Sequence, residues 1–90
     1  MYSDTPLTAA SFSVLADASA GLLPRLLEPF AKRDLVPDRV RSQRQGGVMT
    51  MDITLHAMPA HMVDLVAGNL GQVVGVRRVE AMEGRRVAAA

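Results

Sequence analysis

The segment from Gly46 to Met58 constrains the fold of this chain more than any other part of the sequence. After Gly46-Gly47 and Val48, apolar and polar residues alternate without interruption from Met49 to Ala57. The apolar positions are Met49, Met51, Ile53, Leu55 and Ala57, and the polar positions are Thr50, Asp52, Thr54 and His56. A period of two predicts a β-strand with one buried face. The paired glycines predict a tight turn before it, because glycine accepts positive φ.

Patterns elsewhere in the chain predict five further elements. The predicted strands are Ser11–Asp17, Leu35–Gln45 and Val73–Met82, in addition to Val48–Met58. Leu22, Leu23, Leu26, Leu27 and Phe30 form the apolar stripe of a first helix, and Met62, Leu65, Val66 and Leu70 form that of a second. Pro59 suits the first position of the second helix, and Gly71 its end. Pro29 is expected to bend or shorten the first helix.

The resulting order is βαββαβ, which predicts a ferredoxin-like α+β fold. Two crossovers joined by a central hairpin give a four-stranded antiparallel sheet with two helices on one face. The length of 90 residues fits one domain. We place this domain at residues 11–82, with a flexible arm at 1–10 and a flexible tail at 83–90.

Composition argues against several kinds of chemical site. The chain has no cysteine, which excludes disulfides and thiolate metal ligands. His56 and His61 flank Pro59, but neither belongs to a recognisable ligand set, so we interpret both as solvent-facing residues. No nucleophile turn or phosphate-binding glycine loop is present. We therefore predict no catalytic residue, no metal, no cofactor and no enzymatic activity.

The sequence also argues against nucleic acid and membrane as partners. The formal net charge is +1, without a block of like charge. Aromatic residues make up 3% of the chain, and Phe12, the aromatic residue of a predicted strand, is expected to be buried rather than stacked on bases. The uncharged runs Thr5–Ala16 and Leu65–Val76 are shorter than the roughly 18–20 residues of a membrane span. With no secretory signal at the start, a cytoplasmic location is expected.

Two stretches resemble the ACT domains, which are small amino-acid-sensing regulatory modules. The first runs from Asp17-Ala18-Ser19-Ala20-Gly21-Leu22-Leu23 into the leucine-rich helix. The second is Leu70–Glu80, which resembles the last helix turn and fourth strand of the family. Together with Pro59–Leu65, it is similar to the small regulatory subunit of acetolactate synthase. The resemblance covers about residues 11–82.

The resemblance implies a homodimer with an amino-acid effector held at the interface. By position, the effector-binding residues would be Ala18, Ser19, Ala20, Gly21 and Leu22 of one chain, beside Val36 and Pro37 of the other. A helix start with free N–H groups and a positive dipole end suits a carboxylate. A glycine there lets a ligand or a neighbouring backbone approach closely.

The chain departs from the family pattern at two positions. Sensors of this family usually place an amide side chain at the position of Ala18 and often a polar group near Val36, and both residues are aliphatic here. An effector ammonium would lose hydrogen-bond partners as a result. Three non-catalytic functions stay open: a regulatory subunit docking on the catalytic large subunit of acetolactate synthase, a thiamine-diphosphate enzyme; a free-standing amino-acid sensor; and a structural dimerisation domain.

Overall fold

The computed structural model describes residues 6–84 of the chain. Four strands and two α-helices follow one another in the order β1, α1, β2, β3, α2, β4. The strands are β1 (Leu7–Asp17), β2 (Arg39–Gln45), β3 (Val48–Pro59) and β4 (Val76–Glu83), and the helices are α1 (Leu22–Ala31) and α2 (Val63–Gly71). The predicted βαββαβ order is confirmed.

The strands form one antiparallel sheet in the spatial order β2-β3-β1-β4. β1 and β3 therefore lie in the centre, and β2 and β4 form the two edges. One face of the sheet is covered: the buried side chains of β1 and β3 share a core with those of α1 and α2. This is the predicted ferredoxin-like arrangement.

The core is built around the centre of β1 and the inner face of α1. Phe12 of β1 and Phe30 of α1 are both fully buried, with ring centroids 5.4 Å apart in an edge-to-face geometry. Leu22 and Leu26 are buried on the same side of α1. Pro29 lies inside α1, and the helix ends two residues later at Ala31. This is consistent with the expectation that Pro29 shortens the helix.

β1 begins earlier than the alternation predicts. The strand extends back to Leu7, and Ala10 is buried, so the predicted start at Ser11 is four residues late. Leu7–Ala10 therefore belong to the sheet and not to an arm. Hydrogen bonding explains the extension: the backbone N–H of Gly84 donates to the carbonyl of Ala9 at 2.9 Å. Residues 1–5 and 85–90 of the predicted arm and tail lie outside the described residues.

A β-bulge near the end of β3 changes which side chains face the core. Ala10 pairs with Leu55 and Thr8 pairs with Met58, so β3 has one more residue than β1 over this interval. Beyond the bulge, Met58 is fully buried and Ala57 is exposed. The predicted inner face is confirmed for Met51, Ile53 and Leu55 but is wrong at Ala57 for this reason.

The second helix begins later than predicted and buries a different stripe. Pro59 is the last residue of β3, a single 3₁₀ turn follows at Ala60–Met62, and α2 starts at Val63. The buried residues of α2 are Val63, Val66 and Leu70. Leu65, predicted to face the core, is 53% exposed. Because α2 starts later, its buried face is shifted by one position relative to the predicted apolar stripe.

The edge strands are shorter than predicted. β2 spans Arg39–Gln45 because the segment from Leu35 to Asp38 is a loop, consistent with the extended backbone that Pro37 imposes before it. β4 starts at Val76, after Gly75, whose φ of 95° interrupts the extended backbone. The two-residue turn between β2 and β3 is confirmed, with Gly46 at φ 61°.

Candidate functional site

The loop between β1 and α1 holds the first half of the predicted effector site. The backbone N–H of Ala18 donates to the carbonyl of Gly47 at 2.9 Å, which attaches the loop to the β2–β3 hairpin. The N–H of Leu22 donates to the carbonyl of Ser19 at 3.2 Å and closes the turn into α1. The loop is thus held by backbone bonds at both ends.

Gly21 is the residue immediately before α1, and no side chain caps the helix there. The first turn carries no acidic residue, so the positive end of the helix dipole is not neutralised locally. The guanidinium of Arg25 lies over Gly21: a Cβ at this position would be 3.4 Å from Cζ and Nη2 of Arg25. A helix start and an arginine side chain therefore favour an anionic group at the same place.

Asp17, the acidic residue that ends β1, is paired with an arginine of β4. Its carboxylate accepts a hydrogen bond from Nε of Arg77 at 2.7 Å, across to the beginning of β4. Its backbone N–H donates to the carbonyl of Gly75 at 2.9 Å. The ion pair is exposed, so its contribution to stability is small. For the site, the consequence of this pair is that the negative charge of Asp17 already has a cationic partner in Arg77.

Val36 and Pro37 form the second half of the predicted site, in the loop between α1 and β2. Val36 is 81% exposed. Asp38 fixes the end of this loop: its N–H donates to the carbonyl of Thr54 at 2.8 Å, and its Oδ2 accepts the N–H of His56 at 2.6 Å. The loop therefore lies beside the end of β3.

The two halves lie at opposite ends of the sheet within one protomer. The β1–α1 loop follows Asp17, whereas Arg39 at the start of β2 is level with Thr54 and, on the next strand, with Ser11. Ser11 and Asp17 are six residue steps apart along β1, which corresponds to roughly 20 Å at about 3.3 Å per residue. A single copy does not bring the predicted effector residues together.

Chemically, the seven predicted residues offer few polar side chains. The hydroxyl of Ser19 is exposed and is the polar side chain of the set. Leu22 is 1% exposed and packs in the core, so its side chain is not available to a ligand at the surface. Ala18 and Val36 supply apolar surface only. Arg25 was not predicted, although its spacing of four residues from Gly21 on a helix places both on one face.

A family model for the ACT-like domain matches residues 3–87 of the sequence. The chain belongs to the ACT-like domain family. Domains of this family are in general regulatory and non-catalytic, and they commonly sense amino acids. Among curated proteins, none matches the sequence at a significant level.

Solved structures share the fold of this ACT-like domain at low sequence identity. The ACT domain from GTP pyrophosphokinase of Chlorobium tepidum is 16% identical with a TM-score of 0.74, and the match covers 86% of this chain and 100% of that one. An ACT domain protein from Streptococcus pneumoniae is 13% identical with a TM-score of 0.65, covering 84% and 89%. A homoserine dehydrogenase from Thiobacillus denitrificans is 15% identical with a TM-score of 0.72, covering 89% of this chain and 18% of that one.

The family model establishes the ACT-like family, and the solved structures establish the shared fold. They do not extend to the finer resemblance to the small subunit of acetolactate synthase, which stays a prediction.

Among the clefts outside the predicted site, three lie on the uncovered sheet face or between the two helices. Two are on the uncovered sheet face, with volumes of about 420 and 340 Å³. The larger lies between Ser11, Thr54 and Met82, and the smaller contains Arg41 and Asp52. The third, of about 160 Å³, lies between the two helices. It is lined by Arg25, Glu28, Pro29, Lys32, Asn69, Gln72 and Val73. All three are open to solvent, and the sequence alone did not indicate them.

The other chemical expectations can be compared with the described part of the domain. His56 and His61 are exposed, and Nδ1 of His56 is 3.8 Å from Oδ1 of Asp38. Residues 6–84 contain no group of three or more His, Asp or Glu side chains placed to hold a metal ion. Phe12 faces the helices and is fully buried. Within the same residues, neither helix is long and apolar enough to cross a membrane.

Proposed function

We propose that this ACT-like domain works as a homodimer whose effector site forms between the β1–α1 loop of one copy and Val36-Pro37 of the other. One observation carries the proposal: the two halves of the predicted site are separated by about 20 Å of strand within one protomer. A second copy in antiparallel orientation can supply the missing half. The exposure of Val36 leaves it accessible for this contact.

The proposed effector is a small amino acid bound through its carboxylate. The start of α1 and the guanidinium over Gly21 provide a positive environment for that group. The ammonium has only backbone carbonyls and the hydroxyl of Ser19 as partners, because Ala18 and Val36 are aliphatic. We expect weaker binding than in a sensor that has an amide at the position of Ala18, since an unpaired charged group in a closed site costs free energy.

A thermal-shift screen of the amino acids tests the effector site. A ligand at 100 times its dissociation constant adds about 2.7 kcal/mol to the free energy of unfolding. We expect stabilisation by at least one amino acid at millimolar concentration, and a smaller shift in the Arg25→Gln variant. Lys32→Gln is the matched control, because it removes a charge from the exposed end of the same helix. Absence of any shift across the screen would remove the effector site from the proposal.

The proposed partner is a larger biosynthetic enzyme, specifically the catalytic large subunit of acetolactate synthase. The resemblance of Pro59–Leu65 and Leu70–Glu80 to its small subunit supports this choice. Two solved structures of the same fold carry the names of enzymes, GTP pyrophosphokinase and homoserine dehydrogenase, which supports an enzyme as partner. Co-purification with the large subunit, and a change in its activity on adding this chain, are the expected results. Unchanged activity would count against the partner but not against the dimer.

A structural dimerisation domain without an effector is the second candidate. The aliphatic side chains of Ala18 and Val36 favour it, because they suit packing between two copies better than recognition of a charged ligand. A stable dimer with no thermal shift from any amino acid would select this function. A shift without any effect on the enzyme would select a free-standing sensor.

A further inference from the structure

β4 is an edge of the sheet, and within residues 6–84 no strand lies on its outer side. It pairs with β1 on its inner side. Six of its eight residues are exposed, and Val76 and Val79 are half-buried. A strand edge with unpaired backbone groups is a template for pairing with another strand.

One hydrogen bond shows which backbone groups of β4 point to this outer side. The N–H of Gly84 donates to the carbonyl of Ala9 at 2.9 Å, so these two residues form a hydrogen-bonded pair at the end of the β1–β4 ladder. Hydrogen-bonded and non-hydrogen-bonded pairs alternate along an antiparallel ladder. Positions 78, 80 and 82 of β4 therefore bond to β1, and Val79 and Ala81 direct their N–H and C=O groups outward.

The charges of β4 favour one way of adding a second copy to this edge. The centre of the strand reads Arg78-Val79-Glu80. In an antiparallel pair around a two-fold axis at Val79, Arg78 of each copy lies opposite Glu80 of the other. These are non-hydrogen-bonded positions, where facing side chains come closest. Opposite charges in such cross-strand pairs are stabilising.

Within one protomer the same two charges are poorly paired. Nε of Arg78 is 4.0 Å from Oε2 of Glu80, and the two side chains are 67% and 66% exposed. Two residue steps along one strand separate their Cα atoms by roughly 6.6 Å, whereas facing Cα atoms at a non-hydrogen-bonded position are about 4.5 Å apart. A second copy therefore offers each of these charges a nearer partner.

We propose that two copies of this chain pair antiparallel along β4 with Val79 on the two-fold axis. The axis is perpendicular to the sheet, so the joined sheet has the helices of both copies on one face. The inference goes beyond the proposed function, because β4 is at the opposite edge from β2 and Val36-Pro37 lie next to β2. Pairing along β4 leaves the proposed effector contact accessible, and the two contacts together give assemblies larger than a dimer.

Other symmetric registers of β4 are less favourable. An axis at Arg77, Arg78 or Glu80 places a charged residue opposite its own copy, and like charges directly opposite each other are destabilising. An axis at Ala81 brings no arginine opposite a glutamate within the described residues. Because Val79 directs its backbone groups outward, an axis there also adds two direct hydrogen bonds between the copies.

The bulge of β4 lies near the start of the strand and does not interrupt its centre. Pairing with β1 shifts between Leu15 and Ala16, which leaves Arg77 as an extra residue on β4. From Arg78 to Glu83 the pairing with β1 is regular. Bulges and charged side chains protect an edge against indiscriminate pairing. We expect such an edge to accept a strand that matches its charges and to reject one that does not.

Single-cysteine variants test the register, because the sequence has no cysteine. In the proposed pair the two Val79 Cα atoms are about 5.5 Å apart, within the roughly 4.4–6.8 Å that a disulfide spans. The two Ala81 Cα atoms are about 13 Å apart, since four residue steps of about 3.3 Å separate them along the strands. Under mild oxidation of the full chain, Val79→Cys is expected to form at least about tenfold more cross-linked dimer than Ala81→Cys.

Charge reversals test the same register without cross-linking. Arg78→Glu alone places glutamates opposite each other, and Glu80→Arg alone places arginines opposite each other. We expect the dissociation constant of the β4 contact to rise at least about tenfold in each variant, because two favourable pairs become two repulsive ones. An equimolar mixture of the two variants should associate again, since every glutamate then faces an arginine. Sedimentation velocity measures the single variants and the mixture.

The control is a mixture that carries the same charge changes away from β4. Glu28 and Lys32 are exposed residues at the end of α1 and just after it. Lys32→Glu, Glu28→Arg and their equimolar mixture should each associate like the wild-type chain. Stronger association of this control mixture would show that net charge alone drives the mixing, and it would overturn the specific pairing of Arg78 with Glu80.

Each outcome bears on a different part of the inference. Cross-linking through Val79→Cys, with association lost in each charge reversal and regained in their mixture, supports it. Cross-linking through Ala81→Cys instead overturns the register at Val79. A wild-type dimer that neither cysteine cross-links and neither reversal weakens overturns pairing along β4 and leaves the proposed homodimer intact. If Arg78→Glu converts a wild-type dimer into a monomer, β4 is the sole contact, and the homodimer of the proposed function is overturned instead. A wild-type chain that stays monomeric at high concentration overturns both.

Discussion

Alanine at Gly46 or Gly47 tests the hairpin that connects the sheet to the candidate site. Gly46 has a φ of 61°, in the left-handed region, whereas Gly47 lies outside it. A Cβ at either position meets no atom within 4 Å. Both substitutions therefore add a methyl group to open space, and they differ only in the backbone conformation that alanine must adopt.

The expected difference in stability follows from that conformation. An L-residue in the left-handed region costs roughly 1–2 kcal/mol. Replacing glycine by alanine also lowers the entropy of the unfolded chain, which stabilises by about 0.4–1 kcal/mol. This second effect is the same for both variants and cancels in their comparison. We therefore expect Gly46→Ala to be about 1–2 kcal/mol less stable than Gly47→Ala, which is a difference of at least about 4 °C in Tm for a domain of this size.

Urea unfolding followed by far-UV circular dichroism measures this difference. The protomer concentration must be the same for both variants, because the stability of a dimer depends on it. Equal slopes with denaturant would show that only the stability has changed. Equal stability of the two variants would refute the left-handed conformation at Gly46, and a less stable Gly47→Ala would show that the turn has its strained residue at the second position.

Two further substitution series test the core. Val66→Ala, at a fully buried position, is expected to lower the free energy of unfolding by about 2 kcal/mol. Leu65→Ala, at a position 53% exposed, should change it by no more than about 0.5 kcal/mol. Denaturant unfolding measures both values, and a larger loss for Leu65→Ala than for Val66→Ala would contradict the observed buried stripe. In a double-mutant cycle with Phe12→Leu and Phe30→Leu, the edge-to-face contact predicts a coupling energy of about 0.5–1.5 kcal/mol. A coupling near zero would show that the two rings contribute only through burial.

The element order could be predicted from the sequence because each element has a clear local signal, but details that depend on neighbouring elements could not. The alternation of β3 identifies the strand, yet the bulge opposite Thr8 moves Met58 into the core and Ala57 out of it. Two sets of apolar residues around α2 have helical spacing. The predicted set is residues 62, 65, 66 and 70, and the observed buried set is residues 63, 66 and 70. Packing against the sheet selects the second set, and no local pattern distinguishes them.

In the candidate site, too, some features could be predicted from the sequence and others could not. The resemblance identifies the β1–α1 loop and Val36-Pro37, and the antiparallel topology then requires these segments to lie at opposite ends of one protomer. What could not be predicted is the position of the arginine side chain over Gly21, because the direction of a long exposed side chain depends on its surroundings. Nor does the sequence alone reveal that Asp17 is paired with Arg77, since the two residues are 60 positions apart.

A site shared between two copies makes effector binding and dimerisation a single linked equilibrium. If the ligand binds only where the β1–α1 loop of one copy meets Val36-Pro37 of the other, its binding must stabilise the dimer, and dimerisation must raise its affinity by the same factor. The apparent affinity should then increase with protein concentration until the chain is fully dimeric. A ligand whose affinity is the same for monomer and dimer must bind within one protomer, and such a result would contradict the shared site even if the chain forms a dimer.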